Sequence, residues 1–277
     1  MENPKNLKSR LIKNYIFKGV IFFVASLCAI PLILILITII EKGVSSIDLH
    51  FLTTSKEVPG ERVGIWHAIV GSVIMVAIGA VIAIPIGIAS GMYLAEKKTR
   101  IANYARMSVE ILQGIPTIII GVLVYTWIRS FSGIAGGIAL SMVMLPVIVR
   151  TTEETLYLVP NAIKEASLAL GVPYYKTMLR IIIPSSLSGI VTGIIISLSR
   201  IAGETAPLIL TAFGNTYFEY NPAHKMNALS LFIFKSAGNP DPEFVKAAWG
   251  ASFVLLAWIF IMNITAKLLI RRWKVQF

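Results

Sequence analysis

Arg200 and Glu204 are the only charged residues between Ile181 and Phe213, and they stand four positions apart. On a helix that spacing puts both side chains on one face, where they can pair. Inside a bilayer an ionisable group is expensive unless it is paired or faces water, so such residues mark functional positions by default. The chemistry they offer is anion binding. The arginine guanidinium stays charged and presents a planar fork that donates two parallel hydrogen bonds to an oxyanion. Glu204 would neutralise Arg200 when the path is empty, or accept a proton-bearing oxygen of the anion. Gly203 and Pro207 would loosen the helix beside them. The plainer alternative is an internal ion pair that locks two helices together.

Other chemistry is sparse. His50, His67 and His224 lack the spacing of a metal site or a catalytic triad, and no G-x-x-x-x-G-K-[ST] phosphate loop is present. The single cysteine, Cys28, lies in an apolar run, which excludes disulfide frameworks and points to a core or lipid-facing position. The chain is therefore not expected to be an enzyme or to carry a cofactor, and energy for uphill movement would come from a partner or an ion gradient.

The elements that position Arg200 and Glu204 follow from composition. With 56% hydrophobic and 14% charged residues and a mean hydropathy of +0.78, the chain has too little polar surface to cover a soluble globule. It belongs in a bilayer, where a crossing helix needs about 20 mainly apolar residues. Six runs qualify: Gly19 to Ile40, Ala68 to Ala95, Met107 to Ile128 (interrupted by Glu110), Phe131 to Val149, Ile181 through Arg200 and Glu204 toward Phe213, and Ala247 to Ala266. The expected class is an all-α polytopic membrane protein with six transmembrane helices. Its expected parts are an N-terminal segment 1–18, a helical domain 19–270 and a C-terminal tail 271–277.

Six crossings put both termini on one side, and the placement of Lys and Arg says which. Seventeen fall in the termini, the loop around Lys97, Lys98, Arg100 and Arg106, and the stretch holding Arg150, Lys164, Lys176 and Arg180. Seven fall opposite: Lys42, Lys56, Arg62, Arg129, Lys225, Lys235 and Lys246. The first set predicts cytoplasmic termini and a cytoplasmic loop 150–184, with external loops 41–67 and 214–246. The first run has 22 uncharged residues, too long for the apolar core of a cleaved signal peptide, and no clear A-x-A-like site follows it. It reads as an anchor. Arg129 reads as interfacial, and Glu110 as snorkelling or paired with Arg106. Tyr217, Phe218 and Tyr220 suit an interfacial aromatic belt or an external protein contact.

Five prolines, Pro31, Pro85, Pro116, Pro146 and Pro207, fall in apolar runs, where each would kink a helix. Gly87 with Gly91, and Gly189 with Gly193, form small-xxx-small faces for close helix approach.

The interval Pro160 to Pro184 looks aqueous yet is flanked by crossings. Asn161 could cap a short helix that Gly171 and Pro173 would end. It is either a solvated connector or a contact surface that transmits force. Within it, Glu165-Ala166-Ser167, three residues, Gly171, nine residues, and Ile181-Ile182-Ile183-Pro184 resemble the EAA signature of ATP-binding-cassette importer permeases, E-A-A-x3-G-x9-I-x-L-P. Ser167 stands for the second alanine and Ile183 for the leucine. The resemblance implies a type I, MetI-like fold and a coupling helix, with Glu165, Ala166, Ser167, Gly171, Ile181 and Pro184 as coupling positions toward an ATPase.

RIAGETAPLILTAFGN, from Arg200 to Asn215, and GIPTIIIGVLVY, from Gly114 to Tyr125, with Thr117 where serine is usual, resemble the phosphate-import branch of this family. GETAPL favours one of that branch's two sister permeases. The resemblance implies a heterodimer with the other sister, two ATPase subunits that bind ATP and Mg, an external phosphate-binding protein, and a substrate path through Arg200 and Glu204. An importer of molybdate, sulfate or phosphonate shares the coupling stretch but fits GETAPL less well. An ion-driven secondary transporter or a membrane receptor would not need the Glu165 to Pro184 spacing.

Overall fold

The computed structural model describes residues 4–55 and 62–272. Lys56, the first three residues of the expected N-terminal segment, and residues 273–277 with Lys274 lie outside them. The described residues form twelve α-helices and one π-helical turn, with no strand.

Helix α1, Pro4–Val44, runs unbroken through the expected boundary at residue 18. It is the outlier of the bundle. None of its most apolar window is buried, and its main contact is with α12 (Pro242–Arg272), the last helix. Gly43 permits that contact, because a Cβ there would meet Phe253 Cβ at 2.6 Å and the Trp249 carbonyl at 2.9 Å. Cys28 lies on the exposed surface of α1.

After the short α2, Leu49–Thr53, the second crossing is α3, Trp66–Glu96. Its principal partner is α6, Gly133–Tyr157, which Ser132 caps through the Ala135 N–H at 3.1 Å. Two-thirds of the α6 span is buried, the largest share of any crossing, so α6 is the centre. The glycine faces expected from sequence both meet it. A Cβ on Gly91 would stand 2.6 Å from Thr152 Cβ and 2.7 Å from the Val149 carbonyl, and one on Gly87 would stand 2.7 Å from an Ile148 methyl. Gly189 and Gly193 press against Thr155 and Thr151 on the neighbouring face of α6. Close backbone approach of this kind replaces the hydrophobic effect as the cohesive device between membrane helices. Gly91→Leu is therefore expected to destabilise the bundle by about 1–3 kcal/mol through overpacking, seen as a lowered Tm in detergent. Gly19→Leu, with nothing within 4 Å of its Cβ position, is the neutral control.

The expected third crossing, Met107 to Ile128, is broken. Helix α4, Arg100–Gly114, and α5, Thr117–Ile128, meet at 105° across Ile115 and Pro116. Proline has no N–H to continue α4 and disfavours the helical conformation in the residue before it, and Ile115 is extended at φ −72°, ψ 129°. Twelve residues of α5 span about 18 Å, short of a hydrocarbon core about 30 Å thick. Five helices thus cross singly, and the bent α4–α5 pair makes the sixth candidate. Of the five apolar-run prolines, Pro31, Pro85 and Pro146 sit inside helices, whereas Pro116 and Pro207 open them.

Past α6 come α7, Asn161–Ala169, and α8, Tyr174–Thr177, then a π turn, Met178–Ile182, that leads into α9, Ile183–Ala202. The helix stops at Gly203, short of its expected continuation to Phe213, and restarts as α10, Ala206–Thr211. The expected external loop 214–246 is not simply a loop. It folds back as α11, Leu229–Ala237, whose start is buried against α3 and α12, and Pro242 already begins α12. The bonds that seat that segment include the Leu229 N–H donating to Ser72 Oγ at 2.7 Å and Asn227 Nδ2 lying 3.3 Å from His67 Nε2.

Candidate functional site

The Arg200 and Glu204 side chains do meet, with Arg200 Nε 3.5 Å from Glu204 Oε1. The geometry differs from the one expected. Arg200 is in the last turn of α9, while Glu204 lies in the non-helical break between α9 and α10. Ser230 Oγ, on α11, donates to the Glu204 carbonyl at 2.8 Å and so fixes the break. On the other side α5 closes in, for a Cβ on Gly121 would stand 2.9 Å from both Cα and the carbonyl oxygen of Pro207. The two sequence stretches that resemble importer permeases, Gly114 to Tyr125 and Arg200 to Asn215, are thus packed backbone to backbone.

Position along α3 and exposure locate the pair. Leu229 is bonded to Ser72, six residues into α3, which places this region about 9 Å below the helix end. α3 has 31 residues, about 46 Å, so this point falls near one edge of a hydrocarbon core about 30 Å thick. Glu204 is mostly covered, at 16% side-chain exposure, but Arg200 keeps 48%. The guanidinium opens onto a face that this chain does not cover.

Sequence reasoning marked Gly189 and Gly193 as a packing face but missed the groove they help line, which ends at Ile196, one turn of α9 from Arg200. Gly189, Thr192, Gly193 and Ile196 recur at helical spacing on the Arg200 face of α9. With Ser188 and with Thr151, Glu154 and Thr155 of α6 they line an open groove of about 390 Å³. Hydroxyl and glycine positions repeating every three or four residues were the available signal. At its far end Arg150 Nε pairs with Glu154 at 2.7 Å.

The coupling positions gather at that same end. Gly171 ends α7 as expected, at φ +75°. Its N–H donates to the Leu168 carbonyl at 2.9 Å and the Val172 N–H to the Ser167 carbonyl at 3.2 Å, the Schellman pairing that a left-handed residue permits. Asn161 is the first helical residue rather than the cap, since Pro160 occupies the cap position without a side-chain bond. Ser167 turns inward to Thr177, Oγ to Oγ1 2.9 Å, whereas Glu165 and Ala166 face out. Leu158, Leu168 and Leu170 are exposed around them. Pro184 removes an N–H from the start of α9, and the ladder shifts register: the Ile183 N–H reaches back five residues to the Met178 carbonyl. Ile181 thus lies in a π turn and Pro184 in the first turn of α9 just after it, an irregularity frequent at functional sites.

Two ion clusters tie this end together. Lys164 Nζ holds Glu96 at 2.6 and 2.8 Å and lies 5.0 Å from the Tyr174 ring centroid, joining α7 to the end of α3. Burial would lower the Lys164 pKa, but hydrogen bonding and attraction to Glu96 prevail and raise it. Arg106 does not pair with Glu110, which is exposed. Its Nε donates to Glu153 at 2.6 Å, and its Nη atoms reach Asn103, Tyr157 and the Leu94 and Lys97 carbonyls. Glu153 is buried, and the pair spans 47 positions. Among the described residues no His, Cys, Asp and Glu cluster could hold a metal ion.

Residues 83–275 match the family described as "Binding-protein-dependent transport system inner membrane component". The phosphate transport system permease protein PstA of Pasteurella multocida is 33% identical over 270 residues, covering 95% of each chain. That of Xylella fastidiosa strain Temecula1 is 38% identical over 245 residues, covering 86% of this chain and 85% of the relative. Among solved structures, the inward-facing MetNI methionine transporter aligns at a TM-score of 0.56 and 21% identity, over 76% of this chain and 94% of that one. The bacterial alginate transporter complexed with its alginate-bound periplasmic protein aligns at 0.66 and 16%, over 97% and 96%. The fold is thus the MetI-like permease fold, and the chain belongs to the binding-protein-dependent transport system inner membrane components, in their PstA branch.

Proposed function

We propose that this chain is a translocation subunit of an ATP-binding-cassette importer of inorganic phosphate, working in the cytoplasmic membrane with cytoplasmic termini. A PstC-like permease completes the path as a heterodimer, two PstB-like subunits bind ATP and Mg and hydrolyse ATP, and a PstS-like protein delivers phosphate from outside. The chain itself supplies the route: Arg200 attracts the dianion or monoanion, Glu204 balances the empty site, and the α6–α9 groove leads inward. Alternating access arises when α7, moved by the ATPase, levers α9 across the π turn.

The observation that carries this reading is the placement of α7. It is a capped helix that stands off the bundle, tethered through Lys164 to Glu96 and through Ser167 to Thr177, with Glu165 and Leu168 turned outward and Leu158 and Leu170 exposed beside it. That is the form of a docking peg, and its covalent route to the membrane ends at Arg200. In the reconstituted complex, Glu165→Lys is expected to lower phosphate uptake per ATP hydrolysed about tenfold or more, since like-charge or unpaired-charge contacts at an interface cost several kcal/mol and each 1.4 kcal/mol is about tenfold. Wild-type coupling in that variant would return α7 to the status of a connector. Competition by molybdate, sulfate or phosphonate in the same vesicles reads the choice of oxyanion.

A further inference from the structure

Among the described residues, two that are not glycine adopt left-handed backbone, Arg129 at φ 54° and Phe213 at φ 64°. Each costs of order 1–2 kcal/mol, and strain of this kind collects at ligand-handling sites. The two lie at one spot. Arg129 caps α5, and two residues on, the Phe131 ring stacks on Tyr125, centroids 4.7 Å apart, and meets Phe213 tilted by 36° at 4.6 Å. The Ser132 N–H donates to the Thr211 carbonyl at 2.9 Å and so joins the two strained loops.

Two ammonium groups close on this stack. Lys225 Nζ is 5.0 Å from the Phe213 centroid and 5.5 Å from that of Phe131, and Lys235 Nζ is 5.3 Å from Phe213. Lys235 also donates to the Phe213 carbonyl at 2.6 Å, a bond that the left-handed turn at Phe213 and Gly214 (φ 81°) accommodates. Glu219, the acidic residue of the same loop, is engaged elsewhere, by His224 at 2.8 Å and the Asn221 N–H at 2.9 Å. The ring contacts hold both ammonium groups at Phe213, and an ammonium carries three donors. Both lysines are exposed, and only α10 separates the cluster from Glu204, about 9 Å of helix.

We propose that Lys225 and Lys235, held on the Phe213 ring, form a receiving site at the outer mouth where the tetrahedral oxyanion rests before passing to Arg200. This rests on the importer reading. Lysine suits such a station because it is a strongly hydrated point charge without the bidentate grip of arginine, so it concentrates the anion and releases it readily.

The test uses the complete complex in vesicles, saturating binding protein and radiolabelled inorganic phosphate. Lys225→Gln/Lys235→Gln is expected to lower maximal uptake about tenfold at low ionic strength, the scale of electrostatic focusing. The deficit should narrow as salt screens it, the half-saturating concentration of binding protein should not change, and the Lys225→Arg/Lys235→Arg variant should keep most uptake. Unchanged uptake in the glutamine variant overturns the proposal. So does a raised half-saturating concentration with unchanged maximal uptake, which would assign the lysines to binding-protein docking. A deficit confined to vesicles containing anionic phospholipid also overturns it, by assigning them to lipid headgroups. Wild-type vesicles that carry no phosphate would sink the importer reading instead.

Discussion

Arg200→Gln is expected to reduce phosphate uptake by about a hundredfold or more in a complex that still assembles. Hydrogen bonds to a charged partner are worth about 1.5–3 kcal/mol each, a bidentate guanidinium makes two, and each 1.4 kcal/mol is about tenfold. Glutamine keeps the length for packing but loses the charge and the fork. The rival reading, an ion pair that merely locks the α9 break, makes a different forecast for the double variant. If Arg200 and Glu204 only lock, Arg200→Gln/Glu204→Gln removes both charges and should recover transport. If Arg200 meets the anion, the double variant stays inactive. The 48% exposure of Arg200 beside a mostly covered Glu204 favours the second outcome, because a purely structural pair has no need to leave its cation open. Size-exclusion profiles of the complex decide whether a loss reflects assembly.

The largest stability effect is expected at Glu153. Glu153→Leu leaves the Arg106 guanidinium at the bundle end without its counter-ion, and removing one member of a buried pair costs about 3–5 kcal/mol. The lower end applies, since Arg106 keeps 20% side-chain exposure and its bonds to the Leu94 and Lys97 carbonyls. A fall of several degrees in Tm in detergent, with reduced subunit in the membrane, is the expected result. Arg106→Leu/Glu153→Leu should recover much of the loss, because an apolar pair needs no compensation. A double variant as unstable as the single one would mean that the bonds from Arg106 to α3, not the ion pair, hold this end.

How much of this was legible in the sequence depended on whether the deciding interaction was local. Apolar runs located the crossings, glycines four apart marked the faces that meet on α6, and Gly171 announced the end of α7, because each is a property of a few neighbouring residues. Arg106 shows the limit. Its local option was Glu110, one turn away, and the partner it takes is Glu153 on another helix. Pro116 marks a kink but not a bend of 105°, because the run around it stays apolar, and apolarity says that a segment is in the membrane without saying how far it bends. Glu204 was placed on the same helix face as Arg200; the pair forms, but across a break that Gly203 allows and Ser230, 26 residues away, stabilises. The refolding of 227–237 into the bundle was hidden for the same reason, since His67 and Ser72 are its anchors.

The π turn at Met178–Ile182 carries a consequence for heredity as much as for motion. A helix advances about 100° per residue, so the extra residue accommodated in this wide turn sets the angular phase between the docking peg and the Arg200 face. Losing one codon there would leave every named side chain present and both helices intact, yet swing the groove away from its guanidinium by more than a quarter of a circle. Substitutions at the exposed Leu179 and Arg180 should be tolerated while single-residue deletions are not, and a library scored for growth on limiting phosphate would separate the two.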